Sequence, residues 1–154
     1  MLQKNLSRKV RSIGGSFVIV ASRYNARYVD AMLKAARAEI LRVGGQVKVV
    51  RVPGAYEIPV VTAQIARAQQ PAAIICLGVI LRGATTHAQH IGEAVSNALV
   101  QIQIESEVPV IHEVLLLENK QQAEERCLSK DHNRGVEAAQ TALEMARVMA
   151  ELRG

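Results

Sequence analysis

The sequence predicts an α/β fold, a three-layer α/β/α sandwich with a parallel sheet at its centre. Three observations carry that expectation. Apolar runs of strand length alternate with segments of helical spacing, in the order β-α-β-α-β-α-β-α. No long linker and no internal repeat interrupts the alternation. Aromatic residues make up only 3% of the chain and Trp is absent, so the core must pack with Val, Ile, Leu and Ala.

At 154 residues the chain fits an N-terminal arm, residues 1–14, and one domain, residues 15–154, large enough for a substantial core. The net charge of +5 and the pI near 9.6 raise nucleic acid as a partner. Yet Lys and Arg are scattered, and no aromatics interleave with them for base stacking. Their one concentration is Lys4, Arg8, Lys9 and Arg11. We expect no nucleic-acid partner. No apolar run reaches transmembrane length and the first residues carry no apolar signal core, so the expectation is no membrane partner and a cytoplasmic location. Cys76 and Cys127 lack metal-ligand spacing, and Cys76 sits in an apolar run, as a buried free thiol does.

Residues 16–21 read as the first buried strand. Asn25 then stands as an N-cap for a helix marked by Val29, Met32, Leu33, Ala36, Ile40 and Val43, which Gly44-Gly45 ends. Residues 47–52 form the second strand and Pro53–Glu57 a turn. A short helix follows, with Ile58, Val61, Ile65 and Ala68 inward and Pro59 tolerated in its first turn. The run Ile74–Leu81 is the third strand, apolar throughout as a strand buried on both faces should be. Thr86 and Gln89 match a capping box for the next helix, whose inward residues are Ile91, Ala94, Val95, Ala98 and Ile102. Residues 109–117 form the fourth strand and Lys120–Cys127 a polar helix. A loop from Leu128 to Arg134 then ends at Gly135, before a last helix with Val136, Ala139, Leu143, Ala146 and Ala150 inward.

Ligands of such sheets sit beyond the carboxyl ends of the strands, where strand order switches. The marked residues gather in the loops there. After the third strand, Arg82-Gly83-Ala84-Thr85-Thr86-His87 feeds a helix, whose N-terminus suits a phosphate or another anion. Arg82 can add a charge there. His87 can take or give a proton, against the alternative of a surface histidine in a helix cap. Thr85 and Gly83 are otherwise ordinary turn residues, and the Gly-Lys-Ser/Thr ending of a P-loop is missing. Glu57 is a helix-start carboxylate or a hydrogen-bond acceptor for a ligand, and Tyr24 a packing residue or a platform for a planar ring. His112, in mid-strand, reads as a satisfied core histidine. Arg126 reads as a solvated cation and Arg134 as a loop residue. These residues alone point to a phosphorylated small molecule.

Several motifs, in order, resemble the 6,7-dimethyl-8-ribityllumazine synthase family. They are Ala21-Ser-Arg-Tyr-Asn25, Val52-Pro-Gly-Ala-Tyr-Glu-Ile-Pro59, Leu77-Gly-Val-Ile-Leu-Arg-Gly-Ala-Thr-Thr-His87, Val108-Pro-Val-Ile111, Ala123-Glu-Glu-Arg126 and Ala142-Leu-Glu-Met145. The resemblance runs from Ser16 to about Arg147. It implies a flavodoxin-like sheet and the condensation of 5-amino-6-(D-ribitylamino)uracil with 3,4-dihydroxy-2-butanone 4-phosphate. The products are the lumazine, phosphate and water, and no metal or organic cofactor takes part. It further implies that Tyr24 stacks on the pyrimidine and that Ala55, Tyr56 and Glu57 hold the ribityl chain. Val79, Ile80 and Leu81 read the pyrimidine edge through their backbone. Ala84, Thr85 and Arg126 bind phosphate, and His87 transfers protons; Arg82, Gly83, Thr86 and Arg134 are further candidates.

The resemblance also implies a homo-oligomer: a pentamer with its sites at subunit interfaces, in some members stacked into a decamer or closed into an icosahedral shell. The loop before Arg134 shows no insertion relative to shell-forming members, which favours a shell, and residues 1–14 would reach a neighbouring sheet edge. Four departures stand out. Tyr24 replaces Phe or Trp. His112 replaces the Phe that closes the pyrimidine pocket from a neighbouring subunit. Arg134 replaces Lys, and residues 127–133 lack the family's usual Ala-Gly-Thr-Lys-Ala-Gly pattern. These departures motivate the alternative of a noncatalytic ligand-binding or shell-forming homologue with a drifted pocket.

Overall fold

The elements follow the predicted alternation: β1 (Ser16–Ser22), α1 (Ala26–Arg42), β2 (Gln46–Val52), α2 (Ile58–Gln69), β3 (Ala73–Leu81), α3 (His87–Ser106), β4 (Val110–Leu117), α4 (Lys120–Cys127) and α5 (Arg134–Arg153). A single 3-10 turn, Ala55–Glu57, precedes α2. This computed structural model describes residues 15–154; the predicted arm, residues 1–14, lies outside the described residues.

All strand pairs are parallel and the sheet order is β2-β1-β3-β4. The chain steps outward from β1 to β2, then returns past β1 to β3. Crossovers of one hand that run in opposite directions place their helices on opposite faces. Accordingly, Val29, Met32, Ala36 and Ile40 of α1 pack with α5 over Phe17, Ile19 and Ala21. Ile58 and Ile65 of α2, with Val95 and Leu99 of α3, pack over Val18, Val20 and Cys76. Successive β1 residues therefore serve opposite faces, as the pleat requires. In β3, Ile74, Ile75, Cys76 and Leu77 are 0% exposed, which accounts for its unbroken apolar sequence. Burying each of its Ile and Leu side chains stabilises the fold by about 1.5–3 kcal/mol.

Three predicted alanines of the inward helix faces, Ala68, Ala94 and Ala150, are exposed. The buried positions lie a residue or more away, at Thr62 and Ala66, at Ala88 and Leu99, and at Ala138 and Ala142. Alanine contrasts little with polar neighbours, so its spacing marks a helix without fixing its rotation. Thr62 tolerates burial because its hydroxyl donates to the Ile58 carbonyl at 2.8 Å. Arg134, expected in a loop, is the first residue of α5. Asn133 ends the loop one residue early, since its Oδ1 accepts the Gly135 N–H at 2.7 Å.

Where α1 and α5 cross, Gly135 is required. A Cβ there would land on the main chain of Met32. Neither backbone can move away cheaply, because both helices are packed on the sheet. Gly135→Ala is expected to destabilise the fold by about 3 kcal/mol, read as a lower urea midpoint at unchanged slope.

Candidate active site

Because the strands are parallel, their carboxyl ends share one edge of the sheet. The loops at 23–25, 53–57, 82–86 and 118–119 all open there. The strand order turns around between β1 and β3. At that point β3 outlasts β1: the β1–β3 ladder stops at Ala21 and Leu77, while β3 continues on β4 to Leu81 and Leu117. Beyond Leu77, β3 therefore has no strand partner on the switch-point side, and the peptide groups of Val79 and Leu81 face it while alternate residues bond β4. Val79 and Ile80 have buried side chains, 3% and 9% exposed, so backbone is what they offer. The Ser22 hydroxyl lies beside Gly78, buried and without a hydrogen-bond partner.

Asn25 crosses this gap. Its Nδ2 donates to the Val79 carbonyl at 2.7 Å, from a left-handed backbone at φ 60°. It is the N-cap residue of α1, yet its side chain makes no capping bond. Only its carbonyl serves the helix, accepting from the Tyr28 and Val29 amides. Asn tolerates that backbone better than most residues.

The loops after β1 and β2 are tied together. Arg23 and Tyr24 amides donate to the Pro53 carbonyl, each at 3.0 Å. The Tyr24 ring lies so close to Gly54 that a Cβ there would sit 2.7 Å from its Cδ2. The Glu57 Oε1 accepts the Gly54 N–H at 3.2 Å. Ala55 and Glu57 are half-buried, whereas Tyr24 and Tyr56 are each 66% exposed, unusual for tyrosines without a covering surface.

After β3, residues 82–87 are all exposed. Arg82 pairs with Glu118 at 2.9 Å and reaches Gln89 at 3.5 Å, bracing the β3 and β4 ends. Gly83 has neither a left-handed backbone nor any neighbour within 4 Å of a Cβ. The first bond of α3 runs from the His90 amide to the Thr86 carbonyl at 3.2 Å. The amides before it have no helical acceptor. The His87 N–H meets Thr85 Oγ1 at 3.4 Å. The predicted capping box does not form: Thr86 Oγ1 faces His90 Nε2 at 3.3 Å, and Gln89 turns to Glu93. Sequence reading passed over His90, although its i,i+4 spacing from Thr86 placed it beside the same loop.

Arg126, exposed near the end of α4, forms no hydrogen bond or ion pair among the described residues. Arg134 is half-buried and pairs with Glu137 at 3.1 Å. Its field also reaches Glu113, a β4 carboxyl 3% exposed whose Oε2 has no partner. Desolvation pushes Glu113 up to about 7, opposed by Arg134 and reinforced by Glu137. Neither Cys76 nor Cys127 is a nucleophile: burial raises the first thiol to about 12 and the second to about 11.

His112 stands apart from the other candidates. It is exposed, contrary to the expectation of a core histidine, although both ring nitrogens have partners. Its register opposite Cys76 puts it five residues back from the carboxyl end of β4, roughly 16 Å along the strand. A single chain does not bring it to the loops. An open depression of about 520 Å³ between α1 and edge strand β2, lined by Leu33, Lys34, Arg37, Val49 and Arg51, also contains none of the candidates. Among the described residues no cluster of His, Cys, Asp or Glu could hold a metal ion, and no helix is long and apolar enough to cross a membrane.

These features define a parallel α/β protein with a candidate ligand site at the carboxyl edge of its sheet, where backbone groups, a helix N-terminus and a histidine converge. The chain belongs to the 6,7-dimethyl-8-ribityllumazine synthase family, whose sequence model matches residues 14–150. It is 40% identical over 143 residues to the 6,7-dimethyl-8-ribityllumazine synthase of Xanthomonas campestris pv. campestris (strain B100), covering 91% of this chain and 93% of that one. It is 41% identical to the enzyme of that name from Xylella fastidiosa (strain M12), over 93% and 95% of the two chains, and 39% identical to that of Stenotrophomonas maltophilia (strain R551-3), over 88% and 90%.

Glu113 yields a pH test. Its folded value near 7 exceeds the ordinary 4.5, so the folded state holds the proton longer, and stability falls as pH rises through that window. Glu113→Gln is expected to stabilise the protein at pH 8, by up to about 3 kcal/mol, and to have little effect at pH 4.5. Denaturation at both values checks it.

Proposed function

We infer that the chain condenses 5-amino-6-(D-ribitylamino)uracil with 3,4-dihydroxy-2-butanone 4-phosphate, giving 6,7-dimethyl-8-ribityllumazine, phosphate and water, in the cytoplasm and without a cofactor. Family membership carries the reading. The observation in the fold that supports it best is the stretch of β3 beyond Leu77, which lacks a strand partner on the β1 side at the switch point.

A planar pyrimidine with ring N–H and C=O groups suits that backbone, read at Val79, Ile80 and Leu81. Tyr24 covers its face, and the Ala55-Tyr56-Glu57 turn receives the ribityl hydroxyls. The free amides of the α3 start, with Ala84 and Thr85, cradle the phosphate. Gly83, which no local packing demands, lets the anion approach the main chain. Arg126, its charge uncommitted among the described residues, pairs with the phosphate. Arg82, Thr86 and Arg134 hold the surrounding frame.

In the reaction the pyrimidine's amine attacks the butanone carbonyl and water leaves as the imine forms. Phosphate departs by elimination, its growing charge met by amide donors and Arg126. Elimination leaves an enol at the butanone C3, which tautomerises to a ketone; the second amine then closes the ring on that new carbonyl and expels water. His87 moves protons between these steps, and holding both substrates together supplies much of the rate. The family resemblance assigns the His112 position to the pocket of a neighbouring copy, and its distance from the loops of its own chain supports that assignment. The active form is then a homo-oligomer: a pentamer, on its own, stacked into a decamer or closed into an icosahedral shell.

Mixing the purified protein with both substrates tests the reading, with lumazine fluorescence above the spontaneous rate as the expected result. His87→Ala should slow turnover about 10²-fold while light scattering shows the assembly unchanged. Arg126→Ala should raise KM for the butanone phosphate at least about tenfold and leave KM for the pyrimidine nearly unchanged.

A further inference from the structure

His112 is held in one protonation form by two contacts from different elements. The Val114 amide donates to its Nδ1 at 3.1 Å. A nitrogen that accepts a hydrogen bond carries no proton, so the ring proton sits on Nε2. Nε2 lies 2.7 Å from the Ser96 hydroxyl of α3, which therefore accepts from it. An imidazolium would turn an Nδ1–H against the Val114 N–H, so this arrangement holds only a neutral ring. The element that supplies Ser96 is itself fixed: α3 lies over β4, with Gly92 against Leu116 one turn before Ser96 meets His112. Ser96 is half-buried, while His112 keeps an exposed side.

We propose that Ser96 is a positioning residue for the condensation: by accepting the Nε2–H of His112, it fixes the imidazole as a flat, uncharged plate, and that plate packs on the pyrimidine bound by a neighbouring copy. The inference rests on the reading that His112 closes a neighbour's pocket. It explains how a polar, titratable side chain serves where a planar apolar surface is wanted. A free imidazole rotates about two bonds and can charge. The Ser96 and Val114 contacts remove both freedoms, and a π-face is what stacking on a heterocycle needs. Ser96 touches no substrate; it acts through His112.

The test is a double-mutant cycle on the assembled protein, with scattering to verify equal size. Ser96→Ala is expected to raise KM for the pyrimidine about three- to tenfold, the worth of one hydrogen bond. KM for the butanone phosphate should stay within about twofold. Ser96→Thr, which keeps the hydroxyl, should restore the pyrimidine KM. In a His112→Phe background, Ser96→Ala should have no effect, because Phe needs no such anchor. An unchanged pyrimidine KM in Ser96→Ala, or an equal rise in the His112→Phe background, overturns the proposal while leaving the condensation intact. A wild-type protein that makes no lumazine overturns the reaction reading itself, and this one with it.

Discussion

The main-chain groups of Gly78–Leu81 set the terms for everything around them. Backbone N–H and C=O groups must find partners, and a strand flanked on both sides finds them in its neighbours. β3 has that support on both sides only as far as Leu77; beyond it, β4 alone continues. One acceptor on the open side, the Val79 carbonyl, is taken by Asn25, whose own backbone is left-handed. The others are available to water or to a ligand. Fixed peptide groups open on one side, beside a helix N-terminus, can recognise a ligand before any side chain is added.

Side chains then divide into those that brace and those that remain free. Arg82 is neutralised by Glu118 and ties two strand ends together, while Arg126 on α4 has no partner among the described residues. Both are arginines in polar segments at the same edge, and sequence alone gave no means to tell them apart. The difference comes from which carboxylate the fold sets opposite each. The tyrosines behave similarly. Tyr28 is buried in the α1 core, but Tyr24 and Tyr56 stand open beside the loops.

The architecture was legible because strand and helix periods differ and because β3 is covered on both faces, so its apolar run could be read without ambiguity. The bounds of α4 and the stop at Gly44 followed from the same signals. What was not legible depends on contacts distant in sequence. The Asn25 side chain serves β3 rather than its own helix, and Arg134 starts α5 because Asn133 caps it. His112 looked like a core residue by its place in a strand. β4 is the last strand of the sheet, though, and α3 covers it only in part, so the ring is exposed. The loops of the site were predictable from topology; the role of Ser96 required the geometry of a hydrogen bond.

The backbone contact at Met32 and Gly135 has a consequence for synthesis. Chains emerge from the ribosome N-terminus first, and domains fold as units. β1, α1, β2, α2 and β3 are complete long before α5 exists. Until then the face of α1 that carries Met32, Ala36 and Ile40 has nothing to cover half of it. The last helix must arrive and seat its glycine against α1 before that surface is sealed. The nascent chain thus carries an open apolar face on α1 until its C-terminal helix has been made.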